Sequence, residues 1–367
     1  MELHYKNENV IISNDFFDFE LLVISFSPLV DEKQQAHSDN GFGKSFFQSK
    51  KISCIYVIPT WNHWYQQEYI QEAMEIVRLL CKNFKKIVLY GVSMGAYAVL
   101  KYANYLPASD IISISPQAAI TGPQSEFDAR FTQFWSKIEH ISDSWLMEKN
   151  QPYNTTIFYD KHHDLDNRHA EIISRSIRHA KMVGLPFSGH EVFAVLNEAG
   201  ILSDFVSTLL NKHFDGPELL KLYKKNRQKS GVTWMYAALI SEKRGRVKAA
   251  QRLFQRSVEV IEWRKIQGLA IDQAKARMTV MAYVNHCFSS GNFTAFLDVY
   301  EKFSHNKIIK IDLQAKQLEC FVLLKDKPGL INAYKEYIRV GGTRVGAVKN
   351  LINTALRHNL VSESDLV

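Results

Sequence analysis

Two sequence patterns alternate through the N-terminal half of this chain, and this alternation limits the fold more than any other feature. Six short runs rich in Ile, Val, Leu, Phe and Tyr end at Gly, Pro, Ser or Asp, as β-strands do: ELLVISFS, ISCIYVIP, KKIVLYG, DIISISP, NTTIFYD and KMVGLPF. Between them lie segments with apolar residues at helical spacing: QEYIQEAMEIVRLLCKNF, MGAYAVLKYANYL and NRHAEIISRSIRHA. Because strands that alternate with helices are joined by right-handed crossovers, we predict an α/β fold, with a doubly wound, mainly parallel sheet and helices on both faces.

The pattern changes near FDGPELLKL, after which the periodic segments are amphipathic and helical. Three of them repeat a small or turn residue followed by a helix with aromatic or Ala packing positions: KRGRVKAAQRLF, SSGNFTAFLDVY and KDKPGLINAYKEY. Their irregular spacing indicates degenerate, tetratricopeptide-like helical hairpins, which usually stack to form a binding surface. We therefore predict two domains, an α/β domain over residues 1–214 and an all-α, helical-repeat domain over residues 215–367.

The net charge of +7 is unevenly distributed along the chain. Residues 215–367 hold 26 Lys and Arg against 14 Asp and Glu, whereas residues 1–214 hold 19 against 24. A basic helical domain suits a protein or another anionic partner, and a solvated basic surface without any partner is the commoner explanation. We do not expect nucleic acid to be the partner.

Cysteine usage and the N-terminus indicate a cytoplasmic protein. Neither a leader-like N-terminus nor a run of about 18 apolar residues occurs, so we expect no membrane span. The sequence also has no metal-ligand motif, and NGFGKSFF lacks the glycine spacing of a phosphate loop, so we expect neither metal nor cofactor. Four widely spaced cysteines, none in a CxxC pair, are expected to be buried free thiols: Cys54, Cys81, Cys287 and Cys320.

The motif that carries chemistry is Gly91-Val92-Ser93-Met94-Gly95, between the strand-like KIVLY and the helix-like AYAVLKYA. A G-x-S-x-G segment in this context is typical of a nucleophile elbow, in which a sharp turn lifts the serine hydroxyl above the sheet. Side chains two residues before or after the serine would collide in such a turn, which explains both glycines. The alternative is a glycine-bounded helix start that Ser93 merely caps.

A serine hydroxyl becomes a good nucleophile only when a histidine takes its proton and a carboxylate orients that histidine. His190, in the short loop of PFSGHEVF, fits the base, although an isolated histidine is often structural. For the acid, the loop YDKHHDLDNRHA offers Asp160 first, because it stands at the strand exit, and Asp164 second. Asp166 directly precedes a helical run and is well placed as its N-cap.

The oxyanion of an acyl-transfer intermediate needs backbone N–H donors. Met94 supplies one at the start of the helix, and the loop after an earlier strand suggests Phe26 or Ser27 for the other. The stretch PTWNHWYQQ follows another strand and offers Asn62, His63 and Trp64 for binding a polar substrate; Trp61 and Trp64 are equally well explained as core anchors.

The run LYGVSMGAYAVLKYANYLPASDIISISPQ, with NHWYQ before it and FSGHEVF after it, resembles bacterial α/β-hydrolase-like proteins associated with surface polysaccharide and glycoprotein loci. The resemblance covers roughly residues 10 to 210 and not the helical part. It implies a serine-hydrolase site at Ser93, His190 and an Asp of the 160–166 loop, with an acyl or acetyl ester on a glycan as substrate. Ala96 departs from the pattern, since such relatives often have a second Gly there.

These observations favour a serine esterase that forms an acyl-enzyme through Ser93, His190 and Asp160, acting on a small-molecule or glycan ester. Three alternatives remain open. An acyltransferase would use the same triad with a glycan hydroxyl in place of water, and a non-catalytic adaptor would act through the basic helical domain. A lipase is also compatible with the motif, although no amphipathic lid is evident in the sequence.

Overall fold

The computed structural model describes residues 2–29, 40–147, 154–210, 216–306 and 308–366. It divides the chain into two compact units, Met1–Lys229 and Ser230–Val367. The predicted boundary at 214/215 lies outside the described residues. The structural division, after Lys229, lies later in the chain than 214/215 because the helix Gly216–Asn226 belongs to the first unit. Tyr223 Oη and the Arg227 guanidinium both donate to the carbonyl of Pro186, at 3.0 and 2.7 Å.

An eight-stranded sheet forms the centre of the first unit, in the order β1-β2-β4-β3-β5-β6-β7-β8. β2 runs antiparallel to β1 and β4, and the remaining neighbours are parallel. The predicted fold class is thereby confirmed. The strands are β1 (Glu2–Lys6), β2 (Val10–Asp15), β3 (Leu21–Phe26), β4 (Ser53–Pro59), β5 (Lys86–Val92), β6 (Asp110–Ile114), β7 (Asn154–Tyr159) and β8 (Lys181–Gly184).

The hairpin β1–β2 is the part of the sheet that the sequence analysis missed. β1 is exposed and half-exposed, and β2 carries buried Ser13, Asn14 and Asp15, so neither strand is an apolar run. The turn between them is held by Asn7, whose Oδ1 accepts the N–H groups of Asn9 and Val10 at 2.9 and 2.8 Å. An asparagine that closes a turn in this way leaves a weak trace in sequence.

Eight helices of the described residues flank this sheet. α3 follows β5 directly and is buried over seven of its eight residues, so it lies in the core behind Ser93. α2 buries only one face, formed by Ile70, Ala73, Met74 and Val77. The helices are α1 (Lys44–Ser49), α2 (Gln67–Leu80), α3 (Met94–Lys101), α4 (Thr132–Trp135), α5 (Asp164–Ser176), α6 (Val192–Glu198), α7 (Leu202–Leu210) and α8 (Gly216–Asn226).

The second unit is all-α in its described residues, as predicted. Side chains of Ser230, Asp272, Asn292 and Asp326 cap four of its helices by accepting a backbone N–H three residues later, which explains where these helices begin. The unit holds 21 Lys and Arg against 12 Asp and Glu. Its helices are α9 (Gly231–Lys243), α10 (Val247–Ile266), α11 (Gln273–Ser289), α12 (Phe293–Phe303), α13 (Lys310–Leu323), α14 (Lys327–Arg339) and α15 (Gly346–Arg357).

All four cysteines are buried and free, as expected. Within the described residues no single helix has the length and apolar character to cross a membrane; α6 and α7 reach that threshold only as a pair, with a bend of 118° between them.

Candidate active site

Ser93 lies in the sharp turn between β5 and α3, with φ 53° and ψ −114°. This backbone conformation is strained for a residue with a side chain, and it is held by the surrounding sheet because the Ser93 N–H donates to the carbonyl of Ile114 at 2.9 Å. Both glycines of the motif are sterically required. A Cβ at Gly91 would overlap the Gly95 carbonyl group, and a Cβ at Gly95 would overlap the carbonyl oxygen of Phe26.

The side chain of His190 reaches Ser93 from the loop between β8 and α6. Its Nε2 lies 2.9 Å from Ser93 Oγ. Its Nδ1 faces the carboxylate of Asp166, at 2.9 Å from Oδ2 and 3.1 Å from Oδ1. The three side chains therefore form one hydrogen-bonded chain, in which Asp166 is 2% exposed and His190 is 16% exposed.

The carboxylate that contacts His190 is thus Asp166, and the prediction of Asp160 for this place is wrong in its geometry. Asp160 is fully buried at the end of β7, where its two oxygens accept the backbone N–H groups of His162 and Gly189, both at 2.9 Å. Burial raises the pKa of this carboxyl. Asp164, the second choice, is the first residue of α5, and the carboxylate that contacts His190 comes two residues later.

Asp166 does not cap α5 as predicted. The N-cap is His163, whose Nδ1 accepts the Asp166 N–H at 3.3 Å, so Asp166 sits in the first helical turn and points at His190. Burial alone would raise the pKa of Asp166, but the charge that His190 carries when protonated, with its hydrogen bond to the carboxylate, holds it well below its usual range. The carboxylate is therefore ionised at neutral pH.

The two predicted oxyanion donors, Met94 and Phe26, lie in different surroundings. Met94 begins α3 immediately after Ser93, where the first N–H groups of a helix have no intrahelical partner. Phe26 is a paired residue of β3, opposite Val57 on one side and Gly91 on the other. The Ser27 N–H, the alternative, already donates to the Val57 carbonyl at 3.2 Å.

The first unit has the α/β-hydrolase fold. Its strand order, its antiparallel β2 and the Ser93 turn after β5 decide this.

Comparison with known proteins gives matches in structure and none in sequence. No protein-family model matches the chain. No curated protein matches it in sequence either.

Several solved structures are similar at low identity. They include the capsule O-acetyltransferase of Neisseria meningitidis serogroup A, with 16% identity and a TM-score of 0.44 over 56% of this chain and 92% of that chain. A carboxylesterase of the thaumarchaeon Nitrososphaera gargenis has 13% identity and a TM-score of 0.40 over 57% and 97%. An alpha/beta superfamily hydrolase of Oenococcus oeni PSU-1 has 11% identity and a TM-score of 0.40 over 57% and 99%. Similarities at this level concern the fold and not the substrate.

The three residues predicted to bind substrate are all buried. His63 Nε2 contacts the carbonyl of Asn9 at 3.0 Å and its Nδ1 accepts the Tyr65 N–H at 3.1 Å, while burial lowers the pKa of His63 to about 4. Asn62 is 1% exposed. Trp64 is a core residue whose Nε1 donates to Gln117 at 3.2 Å.

Residues that the sequence analysis did not single out surround the site from the β6–β7 connection, which is described over residues 115–147. The ring of Phe131 lies 6.0 Å from the His190 ring and 5.5 Å from the Trp64 ring, so Trp64 supports the site from a second layer. Arg130, next to Phe131, donates to Asp166 at 3.0 Å. Irregular connections of this kind carry no periodic signal, so spacing gave no indication of these contacts.

One group among the described residues brings three potential metal ligands within 4.8 Å of one another: Glu68, Glu139 and His140. All three are exposed, and exposed acidic groups gather in this way without a metal.

Proposed function

We propose that this chain is a serine esterase, with Ser93 as nucleophile, His190 as general base and acid, and Asp166 as the carboxylate that orients His190. The observation that supports the proposal is the unbroken hydrogen-bonded chain from Ser93 Oγ through the His190 ring to Asp166, at 2.9 Å for each link. The same arrangement activates serine on several unrelated folds, because the chemistry requires the geometry and not a particular sequence order.

The tautomer of His190 follows from its two partners. An ionised Asp166 can only accept, so Nδ1 carries the hydrogen and donates to it, which leaves the Nε2 lone pair for the Ser93 hydroxyl. Ser93 Oγ then attacks the ester carbonyl carbon while its proton passes to Nε2. The C–O bond to the alcohol breaks as Nε2 returns that proton to the leaving oxygen, and an acyl-enzyme remains. Water, deprotonated by Nε2, hydrolyses the acyl-enzyme by the reverse sequence.

The Met94 N–H is our candidate for stabilising the oxyanion. It stands at the N-terminus of the eight-residue helix α3, where the helix dipole also favours negative charge. Loss of one such donor typically costs about 3 kcal/mol of transition-state stabilisation. We leave the second donor unassigned.

The finer part of the proposal concerns the substrate, an acyl or acetyl ester on a glycan, and it rests on the resemblance carried by GVSMGAYA, SPQ and NHWYQ. Ser93 is 8% exposed. The same acyl-enzyme serves both hydrolysis and acyl transfer, which differ in whether water or a sugar hydroxyl takes the acyl group. The assay with oligosaccharides described below distinguishes water from a sugar hydroxyl as the acceptor of the acyl group.

The test compares the wild-type protein with Ser93→Ala and with Ser174→Ala as a matched control, since the Ser174 hydroxyl only bonds within α5, to the Glu171 carbonyl. We expect wild type and the control to hydrolyse p-nitrophenyl acetate and to be labelled by a fluorophosphonate probe. Ser93→Ala should lose labelling and at least a thousandfold of the rate.

The same assay with acetylated and free oligosaccharides distinguishes the acceptors. Release of acetate from an acetylated sugar supports hydrolysis, and acetylation of the free sugar with p-nitrophenyl acetate as the acetyl donor, which releases p-nitrophenol, supports acyl transfer. Equal labelling of wild type and Ser93→Ala, or none of either, would overturn the assignment of Ser93 and favour a binding protein on this fold.

A further inference from the structure

Arg130 joins the proposed triad to a second buried pair. Its guanidinium is 23% exposed and contacts two carboxylates that are almost fully buried. The NH1 group donates to Asp166 Oδ1 at 3.0 Å. The Nε and NH2 groups donate to the two oxygens of Asp128, at 2.9 and 2.7 Å. Such a forked contact fixes the plane of the guanidinium, so Asp128 orients Arg130 towards Asp166.

Asp128 is held in turn by His169, on the next turn of α5 after Asp166. His169 Nδ1 accepts the Ala118 N–H at 3.1 Å, so its hydrogen is on Nε2, which donates to Asp128 Oδ2 at 3.0 Å. Burial lowers the pKa of His169, which keeps this ring neutral. Burial would raise the pKa of Asp128, but hydrogen bonds from His169 and Arg130 keep it well below its usual range.

The charges of this array explain why a guanidinium is needed there. Two buried carboxylates that flank the same position repel each other, and without a cation one of them would take up a proton. A protonated Asp166 could no longer stabilise the imidazolium that His190 becomes during the reaction. One guanidinium between Asp128 and Asp166 offsets that repulsion.

Arg130 also acts on His190 through Asp166. The oxygen Oδ1 of Asp166 is shared, because it lies 3.0 Å from the Arg130 NH1 group and 3.1 Å from His190 Nδ1. A positive charge so close to the ring opposes a second positive charge on it. The carboxylate attracts a proton to His190, and the guanidinium offsets part of that attraction.

We propose that Arg130 is a positioning residue that orients Asp166 and sets the lower pH limit of catalysis by opposing protonation of His190. This inference rests on the proposed esterase function. Besides Asp166, His190 and Arg130, the described elements that meet there carry these charged and titratable groups: Asp164, Arg168, His169, Glu171 and Arg175 on α5; Asp160, Lys161, His162 and His163 before α5; Glu126, Asp128, Lys137, Glu139, His140 and Asp143 in the β6–β7 connection; and Glu191 and Glu198 at α6. Arg130 carries a permanent positive charge, whereas His163 and His190, the other described ion-pair partners of Asp166, are charged only when protonated.

The experiment measures kcat/KM for an activated ester against pH in three variants that share the Asp128→Asn change, so that Asp128 is not left as an unpaired carboxylate when Arg130 is altered. They are Asp128→Asn, Asp128→Asn with Arg130→Lys, and Asp128→Asn with Arg130→Gln. Without the Arg130 guanidinium beside it, Asp166 stabilises the protonated His190 ring more strongly. We therefore expect the half-maximal pH of the acid limb to rise by about one unit in the Gln variant and to stay within about 0.3 unit in the Lys variant.

A second readout makes the test independent of a large loss of rate. The His190 ring nitrogens are followed by ¹⁵N NMR against pH in the same proteins, with His190→Gln to assign the signals, and thermal unfolding shows whether each variant is folded. The same upward shift in the Gln variant supports the proposal. Identical acid limbs and identical ring titrations in the Gln variant and in Asp128→Asn would overturn it while leaving the esterase intact. Loss of the esterase function itself appears separately, as absent Ser93 labelling in wild type.

Discussion

Asp160 Oδ2 accepts the backbone N–H of Gly189, the residue directly before His190, at 2.9 Å. The buried carboxylate at the end of β7 therefore fixes the loop that carries the base, while a different carboxylate, Asp166, contacts the base itself. Two carboxylates on one connection thus have separable roles. One sets the position of the histidine backbone and the other sets the tautomer and orientation of its ring.

This separation predicts different effects of two isosteric substitutions. Asp166→Asn presents an amide to His190 Nδ1 and favours the wrong tautomer, so kcat should fall by about 10³ to 10⁴. Asp160→Asn keeps one acceptor and leaves one buried N–H unpaired, which should cost about 1–3 kcal/mol of stability and less than about tenfold in kcat. Urea unfolding and ester hydrolysis measure both. A larger loss of kcat in Asp160→Asn than in Asp166→Asn would contradict the assignment.

The sharp turn at Ser93 predicts that a single methyl group added at Gly95 destabilises the protein. A Cβ at Gly95 would overlap the carbonyl oxygen of Phe26, and backbone on both sides prevents the contact from relaxing cheaply. We expect Gly95→Ala to lower the free energy of unfolding by about 3 kcal/mol and to displace Ser93. Gly184→Ala is the matched control, because a Cβ there meets no atom closer than 3.7 Å. Equal unfolding midpoints of the two variants would argue against a sterically required glycine.

The strands that the sequence revealed are those that are buried on both faces. β4 is buried over all seven residues, so its composition alone marks it as a central strand. Ser93 and His190 are also predictable from the sequence. The turn at Ser93 requires glycines at two fixed positions, and His190 follows the last strand. These features depend on local backbone geometry, which sequence spacing records.

The parts that the sequence did not reveal depend on contacts between segments distant in sequence. Asp160 and Asp166 are both aspartates of one loop, and only the three-dimensional position of His190, 24 residues after Asp166, distinguishes them. The sequence pattern favours Asp166 as the N-cap of α5, but the N-cap is His163, and Asp166 lies in the first helical turn, where it faces the site. Arg130 lies 36 residues before its partner Asp166, in an irregular connection without periodicity.

The β6–β7 connection is held across α3 by Asp143, which leads to a further prediction. Asp143 Oδ1 accepts the hydroxyl of Tyr97 at 2.6 Å, and Oδ2 accepts the N–H groups of Ile120 and Thr121 at 3.1 Å. We expect Asp143→Ala to cost about 2–4 kcal/mol, because three donors lose a charged acceptor. Ser142→Ala, at the exposed neighbour, should cost less than about 1 kcal/mol. Urea unfolding measures both, and equal losses in the two variants would contradict this role of Asp143.

We expect His63 to make the first unit sensitive to acid. Burial lowers its pKa to about 4, whereas an unfolded chain protonates histidine near pH 6.5. Between these values the unfolded state binds the extra proton, so stability is fully present above about pH 6.5 and is lost as the pH falls towards 4. A difference of this size corresponds to about 3 kcal/mol.

Substitution should therefore flatten this part of the pH dependence. His63→Gln removes the titrating group and retains a donor for the Asn9 carbonyl, so its free energy of unfolding should fall by about 3 kcal/mol less than that of wild type between pH 7 and pH 4. His179→Gln, at an exposed position after α5, controls for the substitution itself. Urea unfolding at closely spaced pH values supplies the measurement. The substitution removes the proton that the His63 ring takes up on unfolding. If His63→Gln and wild type nevertheless lose stability in parallel over this range, the buried ring is not the group that confers acid sensitivity.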